Sequence, residues 1–269
     1  MEHRGVVITA GFDKSKSAIA IAEQLIRRGM EVKGFIVVSP YSWSRLRKYI
    51  KKRGLSFLWE AIPRLLGYNE SASDASETRD YFKTFWEERD IPYKSIKRWA
   101  AVNETKYCFV KSINSQNAVE YLNELSPQWL IYSGGGIIRN QVIKAMDGRI
   151  LNAHQGPLPE IRGMNAAEWS ILLDEKQETT IHLIDQGIDT GKIITSLPYT
   201  IDENDTLKSI RDKAKIKGIK GLVEVASKKD LGGYSLKENS SDYRQCYILS
   251  SAMKELLRKK LQHIQKETV

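Results

Sequence analysis

The sequence predicts an α/β fold with a mainly parallel central sheet flanked by helices, and three observations carry that prediction. A short apolar strand opens the chain, a polar turn and a helix follow, and a second apolar strand closes the unit. A helix followed by a short buried strand recurs near residue 130. At 269 residues, with 41% hydrophobic and 28% charged, the chain can bury one full core and carry a modest appendage. The expected division is a core over residues 1–230 and a small C-terminal extension over 231–269 ending in a helix.

The opening strand is Gly5 to Ala10, and the helix runs from Ala18 to Arg28 before Gly29. Val32 to Val38 is the second strand, so the order is that of a right-handed βαβ unit. In the turn between, Lys14, Ser15 and Ser17 sit where the free N–H groups of the helix would point. That position suits either a phosphate contact or an ordinary N-cap. The glycine spacing excludes a phosphate loop or a dinucleotide fingerprint.

Residues 41–68 read as an insertion of two short helices, with Trp43, Leu46 and Ile50 at helical spacing, a break at Gly54, and Leu58, Ile62, Leu65 and Leu66 resuming. Pro63 kinks or restarts the second. The cations Arg45, Arg47, Lys48, Lys51, Lys52, Arg53 and Arg64 face the single anion Glu60, so most of the net charge of +9 sits here. A solvated helical hairpin, a peripheral contact with an anionic membrane surface and a nucleic-acid contact all fit, the last being disfavoured. Residues 69–77 have the low hydrophobicity of a flexible loop.

Beyond the loop, Thr78 to Asp90 reads as a helix, Pro92-Tyr93 starts an extended piece, and Ser115 to Ser126 is a helix. Trp129 to Tyr132 is a short buried strand, Asn140 to Met146 a helix, and Ile150 to His154 a further strand. The closing helix, Ala252 to Ile264, carries Met253, Leu256, Leu257, Leu261 and Ile264 on one stripe. No apolar run approaches the ~20 residues of a membrane span. Without a secretory signal, and with only Cys108 and Cys246, a cytoplasmic location is expected.

The chemistry concentrates after residue 133. In Ser133-Gly134-Gly135-Gly136-Ile137-Ile138 three glycines let the backbone bend and lie against a flat ligand. Asn152 and His154 stand two apart on a strand, so their side chains share a face. Read singly, each is a hydrogen-bonded core residue. The stretches Leu151 to Trp169 and Thr180 to Ile194 add a Leu-Pro loop, an Arg-Gly turn and an Asp-Thr-Gly segment.

This set of motifs resembles the formyltransferases that use 10-formyltetrahydrofolate, strongly from Gly134 to Ile194 and loosely over the first βαβ unit and Asp205 to Lys213. Asn152 lies 14 positions after Ile138 and Asp189 lies 35 after His154, in line with the family. One departure is Gly156-Pro157-Leu158-Pro159, where the family commonly reads Ser-Leu-Leu-Pro.

The resemblance implies a Rossmann-like formyltransferase fold and transfer of a formyl group to a primary amine. It makes Asn152 an amide donor to the oxygen that becomes negative, and protonated His154 a second donor. Asp189 would favour the imidazolium and carry a proton from the amine to the departing N10. The co-substrate, 10-formyltetrahydrofolate, would lie between Gly135, Gly136, Ile137, Ile138, Leu158, Asp185, Gly187 and Ile188, and no metal is implied. The isoleucines serve equally as core and Asp185 as a turn residue. Arg162, Met164 and Asn165, with Lys14 and Ser15, would meet a small-molecule acceptor.

The size, Met164-Asn165-Ala166 after the Arg-Gly turn and the segment Asp242 to Tyr247 most resemble enzymes that formylate nucleotide-linked amino sugars for cell-surface polysaccharides, while the short tail argues against a tRNA acceptor and the basic insertion against glycinamide ribonucleotide. Methionyl-tRNA and glycinamide ribonucleotide are the other acceptors. A formyl-folate hydrolase and a non-catalytic folate- or partner-binding module stay open, and a homodimer is allowed.

Overall fold

A computed structural model describes residues 5–38 and 80–267. The expected insertion at 41–68 and loop at 69–77 lie outside the described residues.

The core is a seven-stranded sheet. β1 (Gly5–Ala10), β2 (Glu31–Val38), β3 (Lys106–Val110), β4 (Trp129–Ile131) and β5 (Ile150–His154) run parallel. Together with β7 (Glu178–Leu183) and β8 (Ile193–Pro198) they lie in the order β3-β2-β1-β4-β5-β7-β8. The last two pairings, β5 with β7 and β7 with β8, are antiparallel. β1 is buried along its whole length. Alternation splits it between two layers: Val6 and Ile8 pack on one face and Val7 on the other.

On the first face lie α1 (Lys16–Arg27), α2 (Tyr81–Glu87), α3 (Ile96–Val102) and α7 (Leu207–Ala226), whose Ile19, Leu25, Trp99 and Val223 meet Phe35 and Val37. On the second lie α4 (Gln116–Leu125) and α5 (Asn140–Ala145), through Ala118, Leu122 and Val142. Serine caps start α1 and α4, with Ser15 Oγ accepting from Ala18 N and Ser115 Oγ from Ala118 N.

Two readings of the sequence need correction. The piece expected to be extended after Pro92 is so only as far as Ser95, which caps α3, and the chain then returns as β3. α3 forms because Trp99 is fully buried against Phe35, at 5.3 Å between ring centroids, with its indole N–H on Glu23 at 2.7 Å. The stripe on the last helix, α8 (Ser251–Glu267), buries Leu257 and Leu261, while Leu256 is left 54% exposed. α8 packs on α6 (Ala166–Leu172) and α7 through Ile171, Ile210 and Ala214.

β5 is held from behind by α7, which approaches closely because two of its residues are glycines. A Cβ on Gly218 would come within 2.9 Å of the Ala153 Cβ, and one on Gly221 within 2.7 Å of Ile181. Leu151 belongs to this α7-side layer, which leaves Asn152 and His154 for the opposite face. Gly218→Leu is therefore expected to destabilise the protein by about 1–3 kcal/mol by prising α7 from β5. Urea denaturation checks this, and an unchanged midpoint would show that the helix has room to spare.

Candidate active site

The site is built on the register of β5 against β7, in which Asn152 faces His182 and His154 faces Thr180. Asn152 Nδ2 lies 2.9 Å from His182 Nε2. On the other side of the His182 ring, Nδ1–H donates to the Leu183 carbonyl at 2.7 Å. His182 is 1% exposed, and burial, with the neighbouring His154 second, pushes its pKa down to about 4. The ring is thus neutral at pH 7, and its Nε2 lone pair accepts from Asn152. That bond turns the Asn152 amide nitrogen toward His182 and leaves its second N–H for another acceptor.

His154 is also buried. Its Nε2–H donates to the Ile161 carbonyl at 2.7 Å, and its Nδ1 faces Asp189 Oδ2 at 3.4 Å. Both ring nitrogens are thereby turned to protein acceptors, so the direct donation from His154 to an oxyanion expected from the sequence finds no outward N–H in this arrangement. Asp189 Oδ2 also accepts from the backbone N–H of Gly163 at 2.9 Å, and Oδ1 lies 3.7 Å from His182 Nε2. Asn152, His154, Asp189 and the previously unassigned His182 therefore form one cluster.

The loop leading to Asp189 is tightly tied. Asp185 is its turn residue, accepting from Gly187 N at 3.0 Å and from the Thr190 hydroxyl at 2.6 Å. Asp189 itself has φ of +52°, a left-handed conformation that its neighbours must hold. Arg162, at the start of β6 (Arg162–Gly163), donates to the carbonyls of Ile188, Ser241 and Tyr243. Buried, with both terminal nitrogens on backbone carbonyls, it does not present its guanidinium to an acceptor as the sequence reading expected.

The three-glycine loop lies at the C-terminal end of β4, where the order of parallel strands switches sides around β1. Such a switch point opens a crevice for a ligand. Gly134, Gly135 and Gly136 all have positive φ, and a Cβ on Gly135 would meet Val38 at 2.9 Å. Thr9 pins the loop by donating to Gly134 O, and Asn114 does so by donating to Ile137 O. Ile137 is 64% exposed, whereas Ile138 and Leu158 are buried in packing and Ile188 is half-buried. Tyr132 donates to Gly136 O at 3.0 Å, and its phenol pKa is raised by burial and also by the charge of Asp189. The glycine loop and the Asp189 carboxylate thus share a neighbour.

Gly156, where the family serine is missing, sits under α6: a Cβ there would meet Ala166 Cβ at 2.7 Å. The loop is carried by Thr180 Oγ1, which donates to Gly156 O and accepts from Leu158 N. Of the remaining residues expected to meet an acceptor, Ser15 caps α1 and Asn165 bonds to Glu168 and Leu249 N. Lys14 is exposed, and so is Met164, at 53%. Among the described residues no cluster of metal-ligating side chains occurs, and no helix is long and apolar enough to cross a membrane.

Residues 86–226 match the family model described as formyl transferase. The chain belongs to this family. A methionyl-tRNA formyltransferase of Finegoldia magna is 29% identical over 110 residues, which cover 40% of this chain and 36% of that protein. The chain spans between 36 and 52% of the curated relatives it matches. Among solved structures, a sugar N-formyltransferase from a Shewanella species is similar with a TM-score of 0.56 at 12% identity, covering 96% of this chain and 88% of that one. A phosphoribosylglycinamide formyltransferase from Bacillus halodurans is similar with a TM-score of 0.52 at 21% identity, covering 84% of this chain and 96% of that one. At these identities the two structures speak for the fold.

Neutral, buried His182 has a consequence for stability. Its folded pKa of about 4 lies below its ordinary value of 6.5, so the unfolded chain binds the extra proton first. Its contribution is fully present above pH 6.5 and is lost as the pH falls toward 4. A melting-temperature series is expected to show His182→Asn flattening that acid slope. An unaltered slope would mean that His182 titrates alike in both states.

Proposed function

We propose that this protein transfers the formyl group of 10-formyltetrahydrofolate to a primary amine, and that the amine belongs to a nucleotide-linked amino sugar. The observation that carries the reaction is the convergence of Asn152, His154 and Asp189, with His182 fixing the amide of Asn152.

The folate supplies the activated formyl group. Gly135, Gly136 and Ile137 offer a curved backbone and an exposed apolar side chain beside Tyr132, which suits a flat heterocycle. Asn152 keeps one N–H free for the formyl oxygen as negative charge develops on it. The His154–Asp189 pair handles the proton: the carboxylate takes it from the attacking amine and delivers it to N10, while the imidazole compensates the charge. The bond formed is N–C to the acceptor, the bond broken is C–N10, and the proton lost by one nitrogen is gained by the other.

The amino-sugar acceptor is supported by the sequence features that resemble such enzymes: the size, Met164-Asn165-Ala166 after the Arg-Gly turn, and the segment Asp242 to Tyr247. Met164, exposed next to Gly163, supplies a contact for a neutral part of the acceptor. Methionyl-tRNA is the second reading, favoured by the sequence match to a methionyl-tRNA formyltransferase.

Turnover assays with nucleotide-linked amino sugars, glycinamide ribonucleotide and charged tRNA separate the acceptors, and activity on charged tRNA alone would refute the sugar. With the best acceptor, Asn152→Ala is expected to lower kcat by about 10²–10³, as for other oxyanion donors. His154→Ala and Asp189→Ala should be similarly crippled while remaining folded. Near-normal rates in folded Asp189→Ala would sink the mechanism.

A further inference from the structure

Asp189 adopts a conformation that an isolated aspartate disfavours, and the residue that holds it comes from outside the family-matched segment. Left-handed backbone at a non-glycine residue is disfavoured and persists where the surroundings over-determine it. Asn239 provides this: its Nδ2 donates to the Asp189 carbonyl at 2.9 Å and to the Gly191 carbonyl at 3.1 Å, bridging the turn from both sides. Asn239 lies beyond residues 86–226, in the tail that follows α7.

The tail is itself anchored where Asn239 needs it. Lys237 and Ile193 exchange two backbone hydrogen bonds of 2.9 Å, so this segment adds to the free edge of β8 two residues before Asn239. Just after it, Ser241 and Tyr243 accept from Arg162, which also holds Ile188. Then β9 (Gln245–Cys246) pairs with β6 and fixes Gly163, whose N–H meets the Asp189 carboxylate. The tail thus touches the Asp189 turn through Asn239 and the partner of its carboxylate through β9.

We infer that Asn239 is a positioning residue for Asp189, clamping the backbone of its turn so that the carboxylate faces both His154 and the Gly163 N–H. This rests on the proposed role of Asp189 in formyl transfer, and the test separates the two. Its donor N–H groups, not its shape, are what matter. Asn239→Ala removes both donors and the isosteric Asn239→Asp replaces them with acceptor oxygens, so each should lose the clamp.

Kinetics and one spectroscopic probe together decide the matter. In the intact chain, both variants are expected to lower kcat by about 10–30-fold, the loss of two neutral hydrogen bonds, with KM for the folate within about twofold of wild type. Asn239→Ala placed on Asp189→Asn should cost nothing further, because a clamp acts only through the group it holds. The Gly163 amide resonance reports on the carboxylate without any turnover. It should move in Asn239→Ala and Asn239→Asp in the same direction as in Asp189→Ala.

A wild-type Gly163 resonance in either variant, or additive losses in the double variant, would overturn the clamp. If Asp189→Asn turns over normally while the Gly163 resonance still moves in the Asn239 variants, the clamp stands. In that case it is the proposed chemistry of Asp189 that fails.

Discussion

The carboxylate of Asp189 is the point through which the site is assembled. One of its oxygens accepts from Gly163 N and faces His154 Nδ1, while the other faces His182. Four pieces of chain meet there: β5 with His154, β7 with His182, the turn carrying Asp189, and β6 with Gly163. The contacts of Asp189 with His154 and with Gly163 are both long-range in sequence. The geometry therefore depends on the register of an antiparallel pair appended to a parallel sheet. A slip of one residue would turn Asn152 and His154 toward α7.

Electrostatics explains why two histidines in the same place do different things. His182 is sealed under the sheet surface and stays neutral, so it orients Asn152 as an acceptor and takes no charge from Asp189. His154 has Asp189 in front of its Nδ1 and a carbonyl at its Nε2, so both of its ring nitrogens are turned to protein oxygens. One ring sets the direction of Asn152 and the other faces the Asp189 carboxylate. The division follows from which nitrogen each ring offers to the protein.

Much of the fold was legible because its elements repeat simple periods. Gly5 to Ala10 was read with its observed bounds, and Asn140 to Met146 and Ile150 to His154 were read to within a residue. α3 escaped because it is a short helix following Pro92, and its reason for being there, the pocket for Trp99 against Phe35, is tertiary. Within the candidate site, Asn152, His154 and Asp189 were singled out by the resemblance of their motifs to the family, the two-residue spacing only putting the first two on one face. His182 was not, since it meets Asn152 across 30 residues of sequence and only once the register is known. Asn239 lies 50 residues from Asp189 and carries no motif at all. Arg162 misled for the opposite reason: the turn suggested a substrate contact, but the fold spends its guanidinium on carbonyls.

A crystal structure with a non-reactive formyl-folate analogue shows whether this cluster receives a formyl group. The quantity to measure is the distance from Asn152 Nδ2 to the formyl oxygen. Hydrogen-bond range, about 2.7–3.1 Å, is expected, with the heterocycle against Gly135 and Gly136. A folate bound with its formyl group more than about 5 Å from Asn152, beyond the reach of any hydrogen bond, would contradict it.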